Sequence, residues 1–154
     1  MPLLALPTTI PQIQDAFRAA MEAMTPRTTR QQETSGWKYY AREHQPLQGC
    51  RWFRFEWDDQ GLTPGGFMWR GGAAVDVLCS IVADYGSVPA EHLDGLAHDD
   101  HQQLGDLLDM LRTTTDGLRR VRSASWAQEA GTSADQAQIV HQFLVTYLQT
   151  KFTS

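Results

Sequence analysis

CRWFRFEW, residues 50–57, decides the fold class, because its side chains alternate between two chemical types. One face is aromatic and consists of Phe53, Phe55 and Trp57. The other face is mixed and consists of Trp52, Arg54 and Glu56. Successive side chains of a strand point to opposite sides, and large rings fit a half-buried pleated surface. The stretch therefore predicts a strand with an aromatic core face, and it leaves open whether Trp52 is covered or exposed.

Two flanking segments predict further strands of the same sheet. GWKYYAREH, residues 36–44, also alternates, and GFMWR, residues 66–70, is a short apolar run after a glycine-rich break. The intervening QPLQG and DDQG segments have turn chemistry. Together these segments predict three antiparallel strands.

Four other segments have apolar residues at helical spacing. The first begins at Thr9, a candidate N-cap, with Pro11 in the first turn, and ends before Pro26. The others are residues 71–86, 98–114 and 133–152, the last with Ser133 and Gln136 as a candidate capping box. The predicted fold is α+β: a small three-stranded antiparallel sheet covered by an N-terminal helix and two to three C-terminal helices, in a single domain over 1–154.

The composition narrows the class of protein. The chain has 154 residues, 42% of them hydrophobic, which is enough for one core. Its net charge of −5 argues against binding to a nucleic-acid backbone, and we interpret the LRRVR cluster, residues 118–122, as a solvated face. Neither a membrane span nor a signal peptide is apparent. With only Cys50 and Cys79, we expect free thiols in the cytoplasm.

The leading functional hypothesis is a small protein-binding module, an adaptor, inhibitor or regulator rather than an enzyme. Trp, Tyr and Arg dominate the energetically important positions of protein interfaces. We therefore expect the second sheet face to bind another protein, and a homodimer through that face is a further expectation. The candidate partner-binding residues are Trp52, Arg54, Glu56 and Tyr40.

The alternative is a metal-dependent hydrolase centred on the histidine-rich stretch 91–106. His98 and His101 are three residues apart and would share a helix face beside Asp99. Imidazole and carboxylate ligands suit divalent transition metals, which activate water near neutral pH. His92 or His141 would complete the ligand shell. Without that alternative, we expect no cofactor.

A third candidate is an anion site at WRGGAAVD, residues 69–76. A strand followed by two glycines and a helix would aim free backbone N–H groups at a phosphate or carboxylate. The residues of this site would be Arg70, Gly71 and Gly72. The other interpretation is a tight turn that lets the helix pack on the sheet.

Overall fold

The structure, a computed structural model, describes residues 9–25, 37–39, 51–62, 72–86, 90–115, 117–128 and 137–150. Its helices are α1 (Ile10–Ala23) and α2 (Ala90–Met110), and a 3-10 turn (Leu111–Thr113) follows α2. Its strands are β1 (Trp37–Tyr39), β2 (Arg51–Leu62), β3 (Gly72–Gly86), β4 (Leu118–Gln128) and β5 (Ala137–Thr150).

The strands form one sheet in the order β1-β2-β3-β5-β4. The four long strands are antiparallel to their neighbours, and the three-residue β1 pairs parallel to β2 at one edge. Strand β5, the last of the described strands, lies between β3 and β4 and is therefore internal to the sheet. Within the described ranges, β4 is the strand at the other edge.

The predicted three-stranded sheet with two to three C-terminal helices is wrong. The segments 71–86 and 133–152 were predicted as helices, but they contain strands β3 and β5. Among the described residues after β1, α2 is the one α-helix. The outward faces of both strands mix polar residues with apolar ones, among them Leu78 and Val82 of β3 and Val140 and Leu144 of β5, so neither strand alternates strictly between apolar and polar residues. A strand of that kind lacks the two-residue period and cannot be distinguished from a buried helix by periodicity.

Other parts of the prediction have separate outcomes. Residues 51–57 do lie in a strand, β2, but β2 continues to Leu62, so the turn predicted at DDQG is wrong. The neighbouring segment 36–44 is described only over Trp37–Tyr39. The proposed strand 66–70 and the capping box at Ser133 and Gln136 lie outside the described residues.

The N-terminal helix is confirmed, together with its cap. The backbone N–H of Gln12 donates to Thr9 Oγ1 at 3.4 Å, and the N–H of Thr9 donates to Gln12 Oε1 at 3.1 Å. This reciprocal pair satisfies two of the N–H groups that a helix start leaves unbonded. The apolar face of α1 is buried at Ile13, Phe17 and Met21.

Both helices pack on the same face of the sheet. Odd-numbered residues of β3 and β5 belong to the buried core that includes the apolar side chains of α1 and α2. The opposite face is formed by even-numbered residues, among them Asp76, whose carboxylate accepts a hydrogen bond from Thr146 Oγ1 at 2.6 Å. No helix among the described residues is long and apolar enough to cross a bilayer.

Candidate functional site

Five polar side chains meet beneath α2, where an apolar core would be expected. Strands β3 and β5 contribute Tyr85 and His141 from inward-facing positions, and α2 contributes Asp100 and His101 from its sheet-facing side. Ser123 of β4 lies at the outer end of the group. Tyr85, Asp100 and His141 are 0% exposed, so their polar atoms need hydrogen-bond partners inside the protein.

The contacts among these residues form a continuous chain. Tyr85 Oη donates to Asp100 Oδ2 at 2.7 Å and lies 2.9 Å from His141 Nε2. His141 Nδ1 lies 3.1 Å from His101 Nδ1. His101 Nε2 lies 2.5 Å from Ser123 Oγ. We refer to these five residues as the polar relay.

The carboxylate sets the direction of every hydrogen bond in the polar relay. Because Tyr85 donates its proton to Asp100, its oxygen is left to accept from His141 Nε2–H. His141 Nδ1 then has the lone pair and accepts from His101 Nδ1–H. His101 Nε2 is consequently an acceptor, and the Ser123 hydroxyl donates to it.

His101 is held between aromatic rings. Its imidazole stacks on Phe143 with ring centroids 4.6 Å apart and an angle of 12°, and it lies 5.3 Å from the ring of His141. Burial, with a smaller effect from nearby His98, lowers the pKa of His101 to about 4. At neutral pH the ring is therefore uncharged and its Nε2 lone pair is available.

A groove of about 900 Å³ lies between α2 and β4 and reaches both His101 and Ser123. Its walls are formed on the helix side by His98, His101, Gln102, Gly105, Asp106 and Asp109. On the strand side they are formed by Val121, Ser123, Ala124, Ser125 and Trp126. We call this space the α2–β4 groove.

A bulge in β4 shapes this groove. The register with β5 shifts between Ser123 and Ser125, so the strand gains one residue there. Ser123 is opposite Phe143 and Trp126 is opposite His141, both of which face the core. The bulge thereby places Ser123 and Trp126 on the same face although they are three residues apart.

The outer edge of β4 borders the groove. The backbone N–H of Val121 donates to Asp109 Oδ1 of α2 at 3.1 Å, so it points away from β5. Register is unbroken from Arg120 to Ser123, and alternate residues of an antiparallel strand direct their backbone groups to the same side. The N–H and C=O of Ser123 therefore also point to the outer edge.

Of the predicted partner-binding residues, Trp52, Arg54 and Glu56 lie on the opposite face of the sheet. Trp52 is opposite Asp84 in the register and is only 7% exposed. The guanidinium of Arg54 bonds the carboxylate of Glu56, which is 59% exposed. Tyr40 lies outside the described residues. The alternative left open for Trp52 is thus answered: its side chain is buried.

The histidine-rich stretch lies in α2, which begins at Ala90, eight residues before the start of the helix predicted over 98–114. His98 and His101 both line the α2–β4 groove, but the nitrogens of His101 contact His141 and Ser123. Asp99 is half-buried and His92 is exposed. Across the described ranges, no three His, Cys, Asp or Glu side chains are grouped so that they would hold a metal ion.

The anion-site prediction depends on a helix after Gly72, and the structure has a strand there. Gly72 begins β3, so the chain continues from it as a strand and offers no helix N-terminus there. Arg70 and Gly71 lie outside the described residues. The physical basis of that prediction, free N–H groups at a helix start, is therefore missing at Gly72.

Sequence reasoning overlooked Tyr85, Asp100 and Ser123 as site residues. Tyr85 lies in the segment 71–86 that the sequence predicts as a helix, and Asp100 lies in the histidine-rich stretch 91–106 without being one of its candidate ligands. These residues are recognised only when residues 72–86 and 137–150 are assigned as the strands β3 and β5. Tyr85 and His141 then occupy inward-facing positions that are otherwise mostly apolar. Polar groups at such positions indicate a buried hydrogen-bond network.

A comparison with models of protein families found no match, and a comparison with curated protein sequences also found none.

Proposed function

We propose that the protein is a protein-binding module that takes an extended polypeptide segment in the α2–β4 groove. The observation that carries the proposal is a groove bounded along one side by the outermost strand of the described sheet. An extended peptide adds to such an edge through main-chain hydrogen bonds, and neighbouring pockets select its side chains. The module would act as an adaptor, inhibitor or regulator.

The backbone geometry of β4 supports this mode of binding. Val121 already extends its N–H outward to a carboxylate, and Ser123 directs its backbone groups to the same edge. The carboxylate of Asp109 stands where the carbonyl of an added strand would accept. A bound segment would continue the sheet beyond this point, over a short length because bulges flank residues 120–123.

The charge of the groove indicates the chemistry of the partner. Asp106 and Asp109 line it, and no Lys or Arg is among the described lining residues. Arg112 approaches Asp109 at 3.8 Å, which leaves exposed Asp106 as the main charge available to a ligand. Trp126 adds a half-buried aromatic surface. The expected segment carries Lys or Arg alternating with apolar side chains.

The opposite sheet face has weaker support as the binding surface. Trp52 presents little area at 7% exposure, and Arg54 is engaged with Glu56. A hot-spot role requires side chains that a partner can reach. We therefore assign partner binding to the groove.

A cytoplasmic location agrees with the buried free thiol of Cys79.

The test is selection of random 12-residue displayed peptides on the full chain, followed by fluorescence anisotropy with the best synthetic peptide. We expect enrichment of Lys and Arg, and affinity that weakens with added salt. Asp106→Lys should weaken binding at least about tenfold. Asp94→Lys makes the same charge change on an exposed position of α2 outside the groove and should leave binding within about twofold.

Two results would contradict the groove as the binding site. One is peptide binding that Asp106→Lys leaves intact but Arg54→Ala removes, which would place the site on the opposite sheet face. The other is absence of enrichment over an unrelated bait. A concentration-dependent dimer in sedimentation that Asp106→Lys disrupts would make a second copy of the chain the occupant instead.

A further inference from the structure

We propose that Ser123 is an activated nucleophile for acyl transfer, with His101 as its general base, in a site that opens into the α2–β4 groove. This inference does not rest on peptide binding. It rests on the polar relay, which connects an accessible hydroxyl to a buried carboxylate through hydrogen bonds of one direction.

The relay gives His101 the tautomer that a base for serine requires. Its Nδ1–H is used on His141, so the lone pair is on Nε2, 2.5 Å from Ser123 Oγ. A nucleophile, a base bonded to it, and a third group that orients the base are the recurring geometry of serine catalysis. Here the orienting role is shared by His141, Tyr85 and Asp100, and these three act as positioning residues.

Accessibility separates Ser123 from the rest of the relay. Its side chain is exposed and lines the groove, whereas His141, Tyr85 and Asp100 are fully buried. A substrate would therefore meet only the serine end. Trp126 lies on the same wall as Ser123, is half-buried, and offers apolar surface to an acyl group. Asp106 disfavours anionic substrates, so the expected class is neutral or cationic carboxylic esters.

The backbone near Ser123 contributes a hydrogen-bond donor. The register places the N–H of Ser123 on the outer edge of β4, toward the space from which a substrate would approach. An N–H in this position can donate to the oxygen that becomes negative when the acyl carbon is attacked.

The proposed reaction balances without a co-reactant other than water. Ser123 Oγ bonds to the acyl carbon, its proton passes to His101 Nε2, and the bond from that carbon to the alcohol oxygen breaks. The proton on Nε2 then moves to the departing alcohol. Water next attacks the acyl-serine and gives its proton to His101. The bond from the acyl carbon to Oγ breaks, Oγ recovers the proton, and the carboxylic acid leaves.

The first experiment treats the full chain with a fluorescent fluorophosphonate, which forms a covalent adduct with activated serines. We expect one adduct per molecule, located on Ser123 by peptide mass mapping and absent from Ser123→Ala. Ser80→Ala is the matched control, because Ser80 is not among the residues that line the α2–β4 groove and its Oγ accepts from Gln142 Nε2 at 3.2 Å rather than bonding a histidine. That variant should label like the parent protein.

Two further variants test the relay itself. His101→Gln should slow labelling at least about a hundredfold. Tyr85→Phe keeps the ring and removes the oxygen that joins His141 to Asp100. It should slow labelling about tenfold while circular dichroism shows a folded chain. A residue with a purely structural role would leave the labelling rate of folded protein unchanged.

A chromogenic ester gives an independent readout. With p-nitrophenyl butyrate we expect a burst of p-nitrophenol that equals the protein concentration and is lost in Ser123→Ala. The proposal is overturned if Ser123 stays unlabelled under conditions that fully label trypsin. It is also overturned if His101→Gln labels at the parental rate, since the relay would then have no part in the reactivity of the serine.

Discussion

The two halves of the helix-covered sheet face are built from opposite kinds of contact. Under α1, Phe17 packs on Phe55 and Trp57 with ring centroids 6.4 Å and 5.9 Å apart. Under α2, the ring of His101 bonds His141 and Ser123 instead. Aromatic packing depends on area and volume and is tolerant of direction, whereas a buried hydrogen bond requires a specific partner. Stability should therefore depend on side-chain volume in the half under α1, and on hydrogen-bond partners and protonation in the half under α2.

The largest effect is expected in the aromatic half. Phe17→Ala removes a fully buried ring and should lower the free energy of unfolding by about 3–5 kcal/mol, measured by urea denaturation. Phe17→Leu retains most of the volume and should cost less than the alanine variant. Equal losses for the two variants would contradict an origin in packing volume.

The next effect is expected in the polar half. His141→Phe keeps a ring of similar shape but removes the nitrogens that Tyr85 and His101 contact. Losing these buried bonds should cost about 1–3 kcal/mol, by the same urea measurement. His98→Phe is the surface control on α2 and should change stability by less than about 0.5 kcal/mol. A neutral His141→Phe would show that the relay is not needed for folding.

The two halves also differ in how far the sequence predicts them. The helix α1 and the alternation of β2 follow directly from Thr9, Pro11 and the pattern of residues 50–57, because one face of each is markedly more apolar than the other. The polar half depends on β3 and β5, whose faces are both apolar enough to imitate a helical stripe. Long-range pairing decides their conformation, and a local pattern does not record it.

The residue types of these segments indicate strands more clearly than their periodicity does. The central part of β3 carries Val75, Val77, Ile81 and Val82, and β-branched residues favour strands over helices. No local feature joins Tyr85 to His141, since 56 residues separate them. The candidate site was therefore predictable only as a histidine-rich stretch, and its partners on three strands required the sheet register.

The pH response offers a third way to separate the halves. An unfolded His101 takes up a proton near pH 6.5, and the folded one does so near pH 4. The unfolded state thus holds more protons between these values, and stability should fall as the pH is lowered through that window. The slope is at most about 1.4 kcal/mol per pH unit for one proton.

The test measures urea midpoints from pH 7 to pH 4 in parent and variants. His101→Gln should reduce the dependence of stability on pH by the equivalent of about one proton. Phe17→Leu should lower every urea midpoint and leave the dependence on pH unchanged. His98→Gln should retain most of the slope, because burial is the larger cause of the lowered pKa and His98 the smaller. A parental slope in His101→Gln would mean that other groups bind the proton.

The smallest expected change in stability comes from Gly→Ala substitutions in α2, which test how closely this helix packs on the sheet. A Cβ at Gly95 would meet nothing within 4 Å, so Gly95→Ala should stabilise the protein by about 0.5–1 kcal/mol through helix propensity alone. A Cβ at Gly105 would lie 3.5 Å from Phe143 Cε1, an ordinary contact, and Phe143 is the ring on which His101 stacks. Gly105→Ala should therefore gain at least as much in thermal unfolding. If Gly105→Ala lowers the stability instead, the space between α2 and β5 is too small for an added methyl group. The position of His101 on Phe143 would then be fixed by that spacing as well as by the hydrogen bonds of His101.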